Sequence, residues 1–269
     1  MTREIAEKDL KKKLNLEKPF KRDIIDFYKQ IAKDFAFIYM VSGQVIVLND
    51  SYRIALEKIL NNNFQKISDC FDSGLLNKLD DEAKRRGLEK SYNRRQLKKD
   101  IEMAILLYLM TRARISSEWI IETSQKALQA HTDKYILEQI TADKIPTNKN
   151  IADNVSERYA NWGEGHSDTI VITETQNASE SSKNIEANKI GDILKIWHTM
   201  GDAKVRESHQ FMNLQTKELN EPFISGEGNE MMYPSDNSLG APISDTNNCR
   251  CTVVYDFEKI GDKVVKYYE

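Results

Sequence analysis

The sequence predicts an α+β protein: a mainly helical N-terminal region followed by a small C-terminal α+β domain with a short antiparallel sheet. Apolar residues recur at helical spacing through roughly the first 140 residues. Beyond them, short β-branched and aromatic runs alternate with loops rich in glycine, proline, asparagine and serine. The 269 residues are enough for two domains, or for one domain with a long helical extension.

The first helices are predicted from apolar spacing and from capping residues. Seven apolar residues recur every few positions and describe one amphipathic helix: Ile24, Ile25, Phe27, Tyr28, Ile31, Phe35 and Phe37. Asn49-Asp50-Ser51 is a start signal for the second helix. We expect a break in the helical pattern at Ser73-Gly74.

Two further helices complete the N-terminal region. The first is expected to begin at Tyr92 or Asn93 and to end at Arg114, and Ser116 or Ser117 can cap a second that ends near Ile140. Residues 146–150 are typical of a turn or linker. The expected organisation is therefore a helical domain over 1–140, a linker over 141–154 and an α+β domain over 155–269.

The C-terminal region mixes helices and short strands. Tyr159 to Glu186 favours a helix, which Gly163 and Gly165 would kink or divide in two. A second helix is expected from Asp202 to Met212. Short strands are predicted at Ile193–Trp197, Phe223–Ile224, Met231–Tyr233 and Cys251–Tyr255.

Charge is segregated along the chain, although the net charge of −3 excludes a generally basic protein of the histone class. One local cluster of cations consists of Lys84, Arg85, Arg86, Lys90, Arg94, Arg95, Lys98 and Lys99. These side chains could contact DNA phosphates nonspecifically. They could also be the solvated face of helices, and this interpretation is favoured because no interleaved aromatic residues accompany them.

The sequence favours a cytoplasmic product. Three cysteines do not make a disulfide framework for a chain of this size. Met1 to Lys18 is charged throughout and lacks the apolar core of a signal peptide. The longest apolar runs are Phe35–Val41 and Ala104–Met110, far shorter than the roughly 20 residues that span a bilayer.

The most informative polar residues lie near the C-terminus. On a helix that begins near Asp202, Arg206 and His209 share its polar stripe. In the predicted strand that follows, Cys249 and Cys251 lie on the same face. Acid, cation, imidazole and two thiols could therefore converge.

Three interpretations of this convergence are open. His209, Cys249 and Cys251, with Asp202 as a possible fourth ligand, could bind zinc, although thiols one residue apart on a strand make a wide bite. The residues could instead be catalytic, with His198, Asp202, Arg206 and His209 cleaving phosphodiesters or a thiol acting as nucleophile with His209 as base. The third interpretation, buried packing and hydrogen bonding, makes the fewest demands.

The order of these features resembles the C-terminal domain of the phage Mu F-like minor head proteins, the head morphogenesis family of tailed bacteriophages. The resemblance spans about residues 155–257. Its positions are Thr173-Glu174-Thr175, Lys195-Ile196-Trp197, Asp202, Arg206, His209, Leu219 to Phe223, Tyr233 to Asp236 and Asn248-Cys249-Arg250-Cys251. A glycine usually follows the His helix in this family, and Asn213-Leu214 stands here; asparagine can adopt the left-handed conformation required.

The resemblance implies a minor head protein of a phage or prophage, assembled in the bacterial cytoplasm and located in the virion near the portal. It would act in head morphogenesis and in DNA packaging or ejection, by interaction rather than turnover. The N-terminal helices would dock on the portal protein or other head proteins. A nuclease or toxin-like effector domain carried by the same particle is the alternative function.

Overall fold

The computed structural model describes residues 2–71, 74–85, 87, 94–191 and 193–256. In order, the chain forms α1 (Thr2–Ser42), α2 (Asp50–Phe71), α3 (Gly74–Arg85), α4 (Arg94–Thr141), α5 (Asn148–Ile190), β1 (Leu194–His198), α6 (Glu207–Gln210), β2 (Thr216–Glu218), β3 (Phe223–Ile224), β4 (Glu230–Met231), α7 (Ile243–Thr246) and β5 (Thr252–Asp256). Most of these residues are helical and the sheet is small and antiparallel, so the expected fold class is confirmed.

The first two helices follow the predicted patterns. α1 buries Ile24, Tyr28 and Phe35 of the apolar stripe, but Phe37 is exposed. α2 begins where its capping signal predicts, and the Asn49 side-chain oxygen accepts a hydrogen bond from the backbone N–H of Ser51. Gly74, half of the predicted break, is the first residue of α3, and Ser73 lies outside the described residues.

α4 is one continuous helix, so the predicted division at Ser116 or Ser117 is wrong. The Ser117 hydroxyl donates to the carbonyl of Arg114 at 2.8 Å instead of accepting a hydrogen bond from an N–H of a new helix. Serine can make this bond within a helix, so its presence alone does not mark a helix start. The predicted start of this helix, at Tyr92 or Asn93, lies outside the described residues.

α5 is also continuous, which excludes the alternative of two helices between Tyr159 and Glu186. It begins at Asn148, eleven residues earlier than expected, and the Thr147 hydroxyl accepts a hydrogen bond from the N–H of Asn150 at its start. Gly163 does not break the helix. A Cβ at this position would lie only 2.5 Å from the ring of Tyr28, so glycine allows α1 to pack closely here.

The C-terminal strands form two small antiparallel sheets. In the first, β1 is central and pairs with β2 and β5, with Ile196 opposite Thr216 on one side and Val254 on the other. β3 pairs with β4. The predicted strands at Ile193–Trp197, Met231–Tyr233 and Cys251–Tyr255 are each displaced by one or two residues, and β2 was not predicted.

The predicted helix from Asp202 to Met212 shortens to the single turn of α6. The Asp202 carboxylate accepts a hydrogen bond from the N–H of Lys204, which closes a turn ahead of the helix. Arg206 then has extended backbone angles and interrupts any helix that starts earlier. Asp202, Arg206 and His209 therefore do not share one helical stripe.

The chain divides into two compact units. The first consists of the described residues of Met1–Glu17, Phe64–Leu109 and Ile172–Glu269, and the second of Lys18–Asn63 and Met110–Val171. The loop at 142–147, inside the expected linker, lies within the second unit, so it separates α4 from α5 and not one unit from the other. Throughout the described ranges, no helix combines the length and apolar character needed to cross a membrane.

A buried carboxylate joins three elements of the first unit. Glu180 on α5 is fully buried and accepts hydrogen bonds from Lys13 of α1 at 2.7 Å and from the Thr252 hydroxyl and Val253 N–H of β5 at 2.7 and 3.0 Å. Lys183, one turn further along α5, lies 2.8 Å from the same carboxylate. Each donor satisfies part of a charge that would otherwise be costly to bury.

Burial and charge pairing shift the pKa values of this cluster in opposite directions. Burial alone raises the pKa of Glu180, but the attraction of Lys13 and Lys183 outweighs it and brings the pKa down to about 2. Burial lowers the pKa of Lys183, yet Glu180 and Asp9 together hold that pKa above its ordinary value. For Lys13 burial is the larger effect and lowers the pKa.

Replacing Gly163 by alanine tests the packing between α1 and α5. We expect Gly163→Ala to lower the free energy of unfolding by about 1–3 kcal/mol, because the new methyl group overlaps the buried Tyr28 ring. Gly165→Ala is the matched control, since nothing lies within 4 Å of its Cβ and alanine is the better helix former. Urea unfolding measures both. Equal stability of the two variants would contradict the close approach.

Replacing Glu180 by glutamine tests the buried cluster. We expect Glu180→Gln to lower the free energy of unfolding by about 3–5 kcal/mol, because the buried Lys13 loses its ion-pair partner and Lys183 keeps only its ion pair with Asp9. Glu122→Gln, which removes an exposed ion pair with Lys126, should change stability little. Chemical unfolding at neutral pH compares the two variants, and similar losses would contradict a special role for the buried carboxylate.

The same cluster predicts a pH dependence. The folded-state pKa of Glu180, about 2, is lower than its ordinary value of 4.5, so its stabilisation is complete above the ordinary pKa and is lost as the pH falls towards 2. Wild-type stability should therefore decline more steeply than that of Glu180→Gln between about pH 5 and pH 2. Parallel stability curves for the two proteins would rule out this contribution.

Candidate functional site

The sequence-predicted residues His209, Cys249 and Cys251 meet at one buried point of the first unit. The Nδ1 atom of His209, on α6, lies 3.5 Å from the Sγ atom of each cysteine. All three side chains are buried, and their candidate ligand atoms lie within 4.8 Å of one another. Within the described part of the chain, these three form the group of at least three His, Cys, Asp or Glu side chains that lie close enough together to hold a metal ion.

The two thiols belong to the segment that enters β5 and not to the strand itself, which begins at Thr252. Asn248, immediately before Cys249, has a left-handed backbone with φ of 54°. Its N–H donates to the Thr173 hydroxyl of α5 at 3.0 Å. Although a wide bite was expected of two strand thiols, both sulfurs approach the same imidazole nitrogen.

Asp245 lies on the other side of the imidazole. Its Oδ1 atom is 3.8 Å from His209 Nε2 and accepts a hydrogen bond from Ser208 at 2.9 Å, while its Oδ2 atom accepts one from Asn229 at 2.7 Å. Burial alone raises the pKa of Asp245, but the bonds from Asn229 and Ser208 bring it below its usual value. No spacing in the sequence marks Asp245 or Asn229, because both lie in the loop-rich segment.

Trp197 and Lys195 of β1 support the site from the sheet. The Trp197 ring is fully buried and meets the His209 ring edge-on, with centroids 5.6 Å apart. Lys195 is buried as well; its ammonium group donates to the Met232 carbonyl at 3.0 Å and lies 5.0 Å from the Phe223 ring centroid. Burial lowers the pKa of Lys195 to about 8. These residues fix the loops that surround the site.

Arg206 and Asp202 have separate partners. Arg206 donates to the backbone carbonyls of Asp245 and Asn247, which fastens the loop ahead of the cysteines. Asp202 is exposed and makes a two-pronged ion pair with Arg250, at 2.7 and 2.9 Å. Among the described residues, Asp202 makes no hydrogen bond or ion pair with His209, so the stripe of acid, cation and imidazole does not form.

His198 also stays outside the cluster. It is buried at the end of β1, and burial lowers the pKa of its imidazole, so the ring is neutral at pH 7.

The two thiols differ in the direction of their pKa shifts. Burial raises the pKa of Cys249, but Cys251 and His209 hold it well below its usual range, whereas its neighbour Cys249 and burial raise the pKa of Cys251.

The structure differs from the expectation at one position of the resemblance, the end of the His209 helix. The left-handed residue after α6 is Leu214, with φ of 66°, and not Asn213. The Asn213 side chain instead accepts a hydrogen bond from the Thr199 N–H at 3.1 Å. Ser235, in the Tyr233 to Asp236 turn, is also left-handed, and its carbonyl accepts a hydrogen bond from Asn177 of α5.

The basic cluster lies at the end of α3 and the start of α4. Arg86 and Lys90 are outside the described residues. Three of its cations are paired with acids: Arg85 with Glu82, Arg94 with Asp80 and Lys98 with Glu102. Of the cluster's cations in the described ranges, Lys84, Arg95 and Lys99 are exposed and make no ion pair with another described residue.

These three cations allow a test of nonspecific DNA binding. We expect the variant with alanine at Lys84, Arg95 and Lys99 to elute from immobilised duplex DNA at the same salt concentration as wild type, because solvated helix faces contribute little. The control carries alanine at Lys29, Lys33 and Lys58, which are also exposed and change the net charge equally. Earlier elution and a flatter salt dependence of the first variant alone would assign these cations to phosphate contacts.

The chain was compared with protein-family models, with curated proteins and with solved structures, and none of them matches it.

Proposed function

We propose that this chain is a minor head protein of a tailed phage or prophage. It acts at the portal in head morphogenesis and in DNA packaging or ejection, by binding rather than by catalysis. The proposal is supported by one observation: positions of the family resemblance that are far apart in the sequence pack around a single point. Thr173 contacts the backbone of Asn248, and Trp197 contacts His209 beside the cysteines.

The N-terminal helices offer a surface for docking. Phe37, Met40 and Val41 lie three and four positions apart near the end of α1, so they share one helical face, and all three are exposed. Exposed apolar groups at this spacing are typical of helices that bind another protein. We assign this face to contact with the portal protein or another head protein.

The arrangement gives little support to the effector alternative. Phosphodiester cleavage would need Asp202, Arg206 and His209 to face a common substrate. Instead Asp202 pairs with Arg250, Arg206 donates to backbone carbonyls, and His209 is buried beside the thiols.

The head assignment is tested in particles. Antibody against the chain should detect it, at few copies, in density-purified heads from cells that carry its gene. The variant Phe37→Asp with Val41→Asp should be depleted from heads at least tenfold, because two carboxylates disrupt an apolar contact. Lys29→Asp adds the same negative charge at an exposed site of α1 and should be incorporated normally. Absence of wild-type chain from the heads would contradict the proposal.

A nuclease assay separates the two functions. Purified chain incubated with RNA and with DNA should leave both intact, and His209→Ala should behave identically. Cleavage by wild type that His209→Ala abolishes would favour the effector function.

A further inference from the structure

We propose that His209, Cys249 and Cys251 bind one divalent ion, Zn²⁺ or an ion with similar ligand preferences, through His209 Nδ1 and the two cysteine sulfurs. This site goes beyond the head function and does not depend on it. Imidazole nitrogen and thiolate sulfur are the donors that zinc prefers among protein side chains.

The distances between the donors match a shared ion. Both sulfur–nitrogen distances are 3.5 Å. In a tetrahedral zinc site with bonds of about 2.3 Å to sulfur and about 2.0–2.1 Å to nitrogen, the sulfur–nitrogen edge is also about 3.5 Å. Both sulfur–nitrogen edges therefore already have the length that a shared ion requires, and the two sulfurs lie within 4.8 Å of each other.

Hydrogen bonding alone accounts poorly for this convergence. An imidazole nitrogen has either one proton to donate or one lone pair to accept, so it can satisfy only one partner well. Here two thiols approach the same Nδ1 atom at equal distance. If the imidazole nitrogen and both sulfurs each bind the same metal ion, the two thiols no longer compete for one hydrogen bond to Nδ1.

The other ring nitrogen of His209, Nε2, has the acceptor that a metal-bound histidine usually requires. When Nδ1 is the ligand, the proton resides on Nε2 and is directed towards an acceptor. The buried Nε2 atom of His209 makes no hydrogen bond within the described structure, and the carboxylate of Asp245 faces it at 3.8 Å. Ser208 and Asn229 hold that carboxylate in place. Asp245 is therefore a positioning residue for the ligand.

A small cavity beside the three ligands offers room for a fourth. A space of about 10 Å³ adjoins the three ligands and is bounded by Lys204, Arg206 and Arg250. This is about the volume that one water molecule needs. Asp202, the possible fourth ligand, is paired with Arg250 instead. The ion would thus carry three protein ligands and one water, and two thiolates would balance its charge in the buried site.

Cobalt titration of the full-length protein tests the site. Protein kept reduced and stripped with a chelator should bind one equivalent of Co²⁺, with thiolate-to-cobalt charge-transfer absorption and the intense visible bands of a tetrahedral ion. Added Zn²⁺ should abolish these bands. Wild-type protein that is folded and reduced but shows no charge-transfer band would overturn the proposal.

Variants assign the ligands. Cys249→Ser and Cys251→Ser should each weaken Co²⁺ binding by more than about 100-fold and reduce the charge-transfer band, whereas Asp245→Asn should keep the band and weaken binding about 10–100-fold. Cys70→Ser is the matched control, because Cys70 is the exposed cysteine outside the cluster, and it should bind normally. Loss of binding in Cys70→Ser, or normal binding in Cys249→Ser, would refute the assignment.

A further measurement does not depend on the folding of any variant. Bound Zn²⁺ should protect Cys249 and Cys251 of wild-type protein from alkylation, read by mass spectrometry, and chelator should remove that protection. Cys70 should react equally in both conditions. Equal alkylation of the paired thiols with and without Zn²⁺, in protein whose circular dichroism is unchanged, would exclude the ion.

Discussion

The first unit depends on the charge of one buried carboxylate. Glu180 is inaccessible to solvent. Its carboxylate forms ion pairs with two lysines and accepts hydrogen bonds from a hydroxyl and a backbone N–H. These donors come from α1, α5 and β5, so one carboxylate holds parts of three elements of the first unit together. Burying such a charge is favourable only when its partners are positioned together, and the geometry is therefore strict.

The position of β5 in turn determines the positions of the thiols. Cys249 and Cys251 precede this strand directly, and the Gln176 side chain of α5 donates to the Cys251 carbonyl. Thr173, one turn earlier on α5, accepts from the N–H of Asn248. The helix thus holds the segment at both of its ends. The His-Cys-Cys cluster is consequently a product of the same helix–strand contact that buries Glu180.

Binding without turnover is consistent with this construction. Reactive groups that serve catalysis need access for a substrate, whereas His209 and both cysteines are buried behind loops fastened by arginine, serine and asparagine side chains. Large exposed apolar residues lie on α1, such as Phe37 and Val41, and also in the C-terminal segment, such as Phe211 and Leu239.

Local patterns in the sequence were sufficient for the fold class and for several element bounds. The spacing of Ile24, Tyr28 and Phe35 predicted a helix with a buried face, and the side chain of Asn49 predicted the start of α2. Serine residues misled at Ser117, because a hydroxyl can bond back within a helix as readily as it caps one. Gly163 was ambiguous for another reason: a glycine can break a helix or allow close packing. Its role in the continuous helix α5 depends on the Tyr28 ring, which is distant in the sequence.

The sequence by itself determined which residue types could form a site, and it ordered His209 before Cys249 and Cys251. It could not determine that Arg206 interrupts the helix, that Asp202 pairs with Arg250, or that Asp245 stands behind the imidazole. Glu180 and Lys13 were equally inconspicuous, since a charged residue on a helix is ordinarily exposed. Only the tertiary structure decided these points, because each depends on partners many residues away whose approach no local pattern encodes.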